Sequence, residues 1–396
     1  MSNRILFVDD EPMLLKGLER SLRNMRHEWD MQFVLGGPEA LEAMDNAPFD
    51  VVISDMRMPG MDGAELLDLV RRRFSQTVRM VLSGQSDKEA VLRAVRPTHQ
   101  YLSKPCDIEE LKHKLKSALA LRNVLDSSEL KRTVSQIETV PSLPSMSGAL
   151  QHQLKAEQPD LAEIAEIVSR DPGITAKLLQ LLNSAFLGAA SRLSSPKQAV
   201  SIIGVENLCS LMSCGVLFSD LLPSLTGKLA PVWSHAHATA RYAEAIARCE
   251  HVPNSVAESC YTAGLLHEIG WIILAASYGD RFEKIVCAMD RSLPAADRER
   301  EAFGSSVGSV GAYLLGLWGL PDPIIEATAG CRELAQLKPE GFCPLVAVHV
   351  ADNWHRQWYG PYFFCEDDFL DRDLLGQLGL LDRLPVWEKQ CREIPA

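Results

Sequence analysis

The chain has 396 residues, 46% hydrophobic and 23% charged, enough for two or three soluble domains with sizeable cores. Its ten cysteines include no Cys-x-x-Cys pair, which argues against a zinc ribbon or disulfide framework and fits reduced thiols in a cytoplasmic protein. The net charge of −12 is uneven: residues 1–122 hold 18 Lys+Arg and 19 Asp+Glu (−1), the remainder 22 and 33 (−11), so the second half lacks the positive charge that nucleic-acid phosphates require.

The first apolar run, Ile5 to Val8, is too short for a signal peptide. Ala263 to Ala276, the longest apolar region, is interrupted by His267 and Glu268 and reads as a buried core helix, not a membrane span. Arg4–Val8, Met31–Leu35, Asp50–Ser54, Val78–Leu82 and Gln100–Ser103 read as strands, with helical patterns such as Pro12–Met25 and Ala64–Phe74 between them. Five βα units predict one parallel sheet covered on both faces, with ligands at the carboxyl ends of its strands. A helix is expected from Glu109 to about Leu130, either covering the sheet and extending as a spacer or serving as a dimerising, signal-transmitting helix. Pro141 to Pro144 marks the next boundary.

Beyond Pro144 the pattern is helical, over Leu161–Ser169, Ile174–Leu182, Gln198–Val205, Ala236–Arg248, Ser259–Ala276, Val307–Leu317 and Ile324–Ala329. The expected domains are 1–122 for the α/β sheet, 123–140 for a helical linker, 141–350 for an all-helical domain and 351–396 for a helical cap.

Asp9, Asp10 and Glu11 follow the first strand, Asp55 the third, Ser83 the fourth and Lys104 the fifth. Parallel strands bring these groups to one edge. A carboxylate that attacks a phosphoryl group there needs a hard cation, supplied by oxygen ligands, to let two anions approach. Asp10, Asp55 and the Arg57 carbonyl are the expected Mg²⁺ ligands, with Asp9 acting through water. Lys104 and Ser83 would neutralise and hydrogen-bond the phosphoryl oxygens.

This constellation resembles the response-regulator receiver domain over about the first 120 residues. The resemblance implies a phosphoacceptor at Asp55, a sensor histidine kinase as donor, and a switch aromatic three residues before the lysine, at Tyr101. It also implies the possibility of a homodimer through the face ending at the last helix.

Asp171-Pro172-Gly173-Ile174-Thr175-Ala176-Lys177, Leu182-Asn183-Ser184-Ala185, Trp233-Ser234-His235 and Gly264 to Gly270 resemble the HD-related output domain, HDOD, over about 135–350. Asp171 reads as a helix N-cap with Pro172 at the first helical position, and Asn183-Ser184 as the end of that helix. Catalytic HD proteins bind metal through His, a His-Asp pair and a distant Asp. Here His235, His267 and Asp352 match, but Glu268 replaces the paired Asp, and Trp271 stands where cyclic-dinucleotide phosphodiesterases carry a lysine. His235, His267 and Glu268 are therefore expected to form a hydrogen-bonded core network without metal, and His349 to lack a matched role. The resulting expectation is a cytoplasmic response regulator whose non-catalytic helical domain contacts an unknown downstream protein, with neither nucleic acid nor membrane as partner. A metal phosphohydrolase gated by phosphorylation and a nucleotide-sensing module are the alternatives.

Overall fold

The computed structural model describes residues 3–83, 97–105, 107–121, 124–125, 127–183, 193–290, 292–360 and 369–394. Five strands, β1 (Asn3–Val8), β2 (Trp29–Val34), β3 (Val51–Asp55), β4 (Val78–Ser83) and β5 (Gln100–Ser103), form an all-parallel sheet in the order β2-β1-β3-β4-β5. Val51, Val52 and Ile53 of the central strand are wholly buried, as expected where both faces are covered. The register aligns Val8 with Ser54, Asp55 with Leu82 and Ser83 with Ser103, so the strands end along one edge.

Helices α1 (Pro12–Ser21), α2 (Gly37–Asn46) and α3 (Gly63–Arg73) alternate with the strands. Asp62 and Glu65 form a reciprocal capping box at α3, and Arg71 to Arg73 complement its carboxyl end. Gly63 lets α3 start against the third strand: a Cβ there would lie 2.2 Å from the Asp55 carbonyl oxygen. After β5 comes α4 (Ile108–Ala120), capped by the Asp107 carboxylate.

The helix expected to continue to Leu130 does not. A shorter helix, α5 (Ser128–Val134), begins afresh because the Ser127 hydroxyl caps it, accepting from the Leu130 amide.

Among the described residues, the second half is helical apart from two two-residue parallel strands, Pro141–Ser142 and Ser219–Asp220, which the sequence reading omitted. Its helices are α6 (Pro144–Leu154), α7 (Leu161–Ser169), α8 (Pro172–Leu182), α9 (Pro196–Ser213), α10 (Pro223–Cys249), α11 (Asn254–Leu266), α12 (Ile269–Tyr278), α13 (Phe282–Cys287), α14 (Ala295–Phe303), α15 (Val307–Leu317), α16 (Asp322–Gly330), α17 (Leu334–Leu337), α18 (Pro344–Tyr359), α19 (Arg372–Gln377) and α20 (Leu384–Arg392). The 27-residue α10 packs on α11 and α18. Close approach of α11 depends on Gly264, whose added Cβ would lie 2.7 Å from the Ala240 Cα.

The apolar run read as one helix over Ser259–Ala276 is two helices that break at His267-Glu268. Taken together, the helices over Asn254–Cys287 are long and apolar enough to cross a membrane, but 83% of their apolar window is buried within the protein, as in core helices.

The two halves share one apolar core, which runs from Phe7, Met80 and Leu115 to Leu178 and Trp318. A buried polar joint ties them at the start of β4 and β5. Arg79 donates to the carbonyls of Pro97 (2.5 Å), Thr77 (3.3 Å) and Ser135 (2.8 Å). His99 Nδ1 lies 3.2 Å from the Arg79 amide, and its Nε2 lies 2.7 Å from Arg79 Nη2 and 3.0 Å from the same Ser135 carbonyl. Gln180 on α8 donates to the His99 carbonyl at 3.1 Å, and Gln100 to that of Gly316 at 3.1 Å. Burial and the adjacent Arg79 hold the His99 pKa well below the ordinary histidine range.

Candidate functional sites

At the carboxyl edge of the sheet, the residues expected to act together meet. Asp9 is buried, and Asp55 nearly so. The Lys104 ammonium lies 2.7 Å from Asp9 Oδ2 and also pairs with Asp55 Oδ1. Partial burial opposes its charge, but the hydrogen bonds to Asp55 and Asp9 outweigh that and raise its pKa. The other carboxylate oxygens are held by backbone: Asp9 Oδ1 accepts from the Glu11 amide and Asp55 Oδ2 from the Arg57 amide. Asp10, the next residue after Asp9 beyond the end of β1, is half-buried. Three aspartates against one lysine leave two negative charges, and every candidate donor is an oxygen, which suits a hard divalent ion.

Asp9, expected to act mainly through water, is in direct contact with Lys104. Ser83 closes β4 opposite Ser103, at the right edge, but its side chain falls outside the described residues. Tyr101 is 1% exposed within the core on one face of the sheet, and burial raises its pKa. Next to it, Lys114 on α4 donates to the Tyr101 carbonyl at 3.0 Å and to the Asn183 carbonyl at 3.4 Å, which ties the strand to the helical half.

In the helical half, Asp171 is the expected N-cap, accepting from the Ile174 amide at 2.8 Å. Its second oxygen takes bonds from Ser142 Oγ (2.6 Å) and Trp233 Nε1 (3.0 Å). Asn183 ends α8, with its amide group bonded both ways to the Leu193 backbone; Ser184 lies outside the described residues. His349 is a packing group: Nδ1 donates to the Cys331 carbonyl and Nε2 accepts from the Asp371 amide.

His235, His267 and Asp352 come together, wholly buried, with ligand atoms within 4.8 Å of one another. Asp352 Oδ1 lies 2.9 Å from His235 Nε2 and 3.6 Å from His267 Nε2. His267 Nδ1 donates to the Gly264 carbonyl at 2.7 Å, which turns Nε2 toward the carboxylate.

Glu268 was expected in a helix. It stands instead at the break before α12, where two arginines that the sequence reading missed bind it. Arg356 Nη2 and Arg332 Nη2 both pair with Glu268 Oε1, while Arg356 Nε donates to Asp352 Oδ1 at 2.6 Å. Arg332 Nη1 reaches Glu299 Oε1 at 2.9 Å, and His355 stacks edge-on to His235 with their Nδ1 atoms 2.8 Å apart. Burial favours protonated Glu268, but Arg356 and Arg332 prevail and lower its pKa to about 2; Asp352 is likewise held ionised by Arg356. Burial, reinforced by Arg356, lowers the His235 pKa to about 3, so it is neutral at physiological pH. One signal was available in the sequence: Arg356 follows Asp352 by four residues, one helical turn on the same face.

Residues 5–116 match the profile of the response regulator receiver domain, and residues 140–333 that of the HDOD domain. An uncharacterized protein of Treponema pallidum (strain Nichols) is 28% identical over 217 residues, 54% of this chain and 41% of its own length. The response regulator protein PilR of Pseudomonas aeruginosa is 31% identical over 121 residues, 30% of this chain and 27% of its own. The chain thus spans less than half the length of either curated relative. Among solved structures, the signal receiver domain of an HD domain-containing protein from Pseudomonas fluorescens is 30% identical, covering 30% of this chain and 96% of that one with a TM-score of 0.29.

Proposed function

We propose, from the premise that this chain joins a response regulator receiver domain to an HDOD domain, that it accepts a phosphoryl group on Asp55 from a sensor histidine kinase and signals through protein contact. The reading is carried by the Lys104 ammonium bridging Asp9 and Asp55 at a sheet edge that keeps two uncompensated negative charges.

Asp10, Asp55 and the Arg57 carbonyl would hold Mg²⁺, with Asp9 reaching it through water. The ion's contribution is to offset the charge of two approaching anions. Asp55 supplies the attacking carboxylate oxygen. Lys104 can follow the incoming phosphoryl oxygens, because its ammonium is already within reach of Asp55, and Ser83 would donate a hydrogen bond to one of them. Tyr101 and the Lys114 link to Asn183 lie on the path by which a rearrangement would reach the helical half.

The HDOD half acts in this reading as a non-catalytic contact module for a downstream protein. The protein works in the cytoplasm and neither binds nucleic acid nor inserts in a membrane. Incubation with acetyl phosphate and Mg²⁺, followed by intact-mass analysis, should label one residue, and Asp55→Asn should abolish the label. Undiminished labelling of the variant would end the proposal.

The cluster of His235, His267 and Asp352 favours one other reading, a metal phosphohydrolase. Hydrolysis of bis(p-nitrophenyl) phosphate or a cyclic dinucleotide with Mn²⁺, lost in His267→Ala, would support it. Calorimetric titration with cyclic dinucleotides tests for a nucleotide-sensing module.

A further inference from the structure

A divalent ion in the HD-like cluster would need the same carboxylates that two side chains already hold. Asp352 Oδ1, the oxygen that faces both histidines, accepts from Arg356 Nε at 2.6 Å. Glu268, the remaining motif carboxylate, pairs with both Arg356 and Arg332, and Arg332 Nε lies 3.7 Å from Asp352 Oδ2. Two guanidinium charges thus sit against the two carboxylates, and Arg356 is only 6% exposed.

The donors themselves remain suited to a metal. His267 is oriented by the Gly264 carbonyl with Nε2 turned toward Asp352, the outer-partner arrangement of metal-bound histidines. Glu268 Oε2 and Asp352 Oδ2 are buried without a hydrogen-bond partner. Two imidazoles and the Asp352 carboxylate form a mixed nitrogen and oxygen set of the kind that transition ions prefer. The misfit is therefore one of charge already present.

We propose that Arg332 and Arg356 are the resident cations of this site, standing in for a metal, and that removing them exposes a latent site for a divalent transition ion on His235, His267 and Asp352. The inference deepens the non-catalytic reading of the helical half and is independent of Asp55.

The test uses full-length wild type, the double variant Arg332→Met/Arg356→Met, and that variant with His267→Ala added. Each is equilibrated with Co²⁺ in excess Mg²⁺, which keeps the receiver edge filled. Retained cobalt is counted by elemental analysis, its visible absorption is recorded, and thermal melts are run with and without Co²⁺. Asp55 labelling of the same preparations separates failure of this inference from failure of the phosphoacceptor reading.

The double variant should retain about one cobalt per chain, show the intense bands of a low-coordinate nitrogen-ligated ion, and melt higher with Co²⁺. Adding His267→Ala should remove all three effects, and wild type should show none. The inference is overturned if wild type holds cobalt in a His267-dependent way, if the folded double variant holds none, or if that variant stays unfolded with Co²⁺ present.

Discussion

The receiver edge and the HD-like cluster are built from similar parts and reach opposite states. Each gathers buried carboxylates from separate elements and sets cationic side chains against them. At the sheet edge, three aspartates face a single half-buried lysine, and the charge deficit opens to solvent. In the helical half, Glu268, Asp352 and Glu299 face two arginines, and every carboxylate is buried. The ratio of cation to carboxylate, more than the presence of carboxylates, decides whether a cluster takes up a further charged group or serves as scaffold.

Substitutions can break that contrast. The largest expected effect is at the edge: Lys104→Met should slow acetyl-phosphate labelling about 10²-fold, measured by rate, while the thermal midpoint changes little. Asp352→Asn should do the reverse, costing about 3–5 kcal/mol in urea unfolding because it strips a buried arginine of its partner, with labelling at Asp55 retained. If both substitutions moved labelling and stability alike, the distinction between an open and a closed cluster would fail.

Asp171→Ala should cost about 2 kcal/mol, since it removes a cap and leaves Ser142 and Trp233 without their shared acceptor. For His99 the direction follows from its lowered folded-state pKa. The unfolded chain takes up a proton below pH ~6.5 while folded His99 stays neutral, so stability falls as pH drops through that value and is level above it. The slope reaches at most about 1.4 kcal/mol per pH unit for one proton, and the difference between wild type and His99→Gln melts should isolate it. The smallest effect is Asp62→Ala, about 1 kcal/mol from the lost α3 cap.

The receiver edge was legible because each of its residues directly follows a strand, and parallel strands fix where such residues go. All five strands were placed to within two residues at either end. The HD-like cluster was half legible. Motif spacing found His235, His267 and Asp352, yet Arg332, Arg356, His355 and Glu299 reach it from three different helices or their ends, through contacts between distant segments. The break at His267-Glu268 was hidden in an apolar run that has no glycine or proline between Leu265 and Ile269. The joint at Arg79 and His99 carried no sequence signal, because a charged residue at the start of a strand usually faces water.

That joint bears on how interchangeable the two halves are. Arg79 and His99 belong to the sheet, whereas the Ser135 carbonyl they share and the Gln180 amide that meets them belong to the linker and α8. A chimera that grafts a different receiver onto this helical half would strand those partners in a dry seam unless both residues travelled with it. Exchange of the two modules, in the laboratory or by recombination, is therefore constrained less by the carboxylate-lined edge than by a pair of side chains at the opposite end of the sheet.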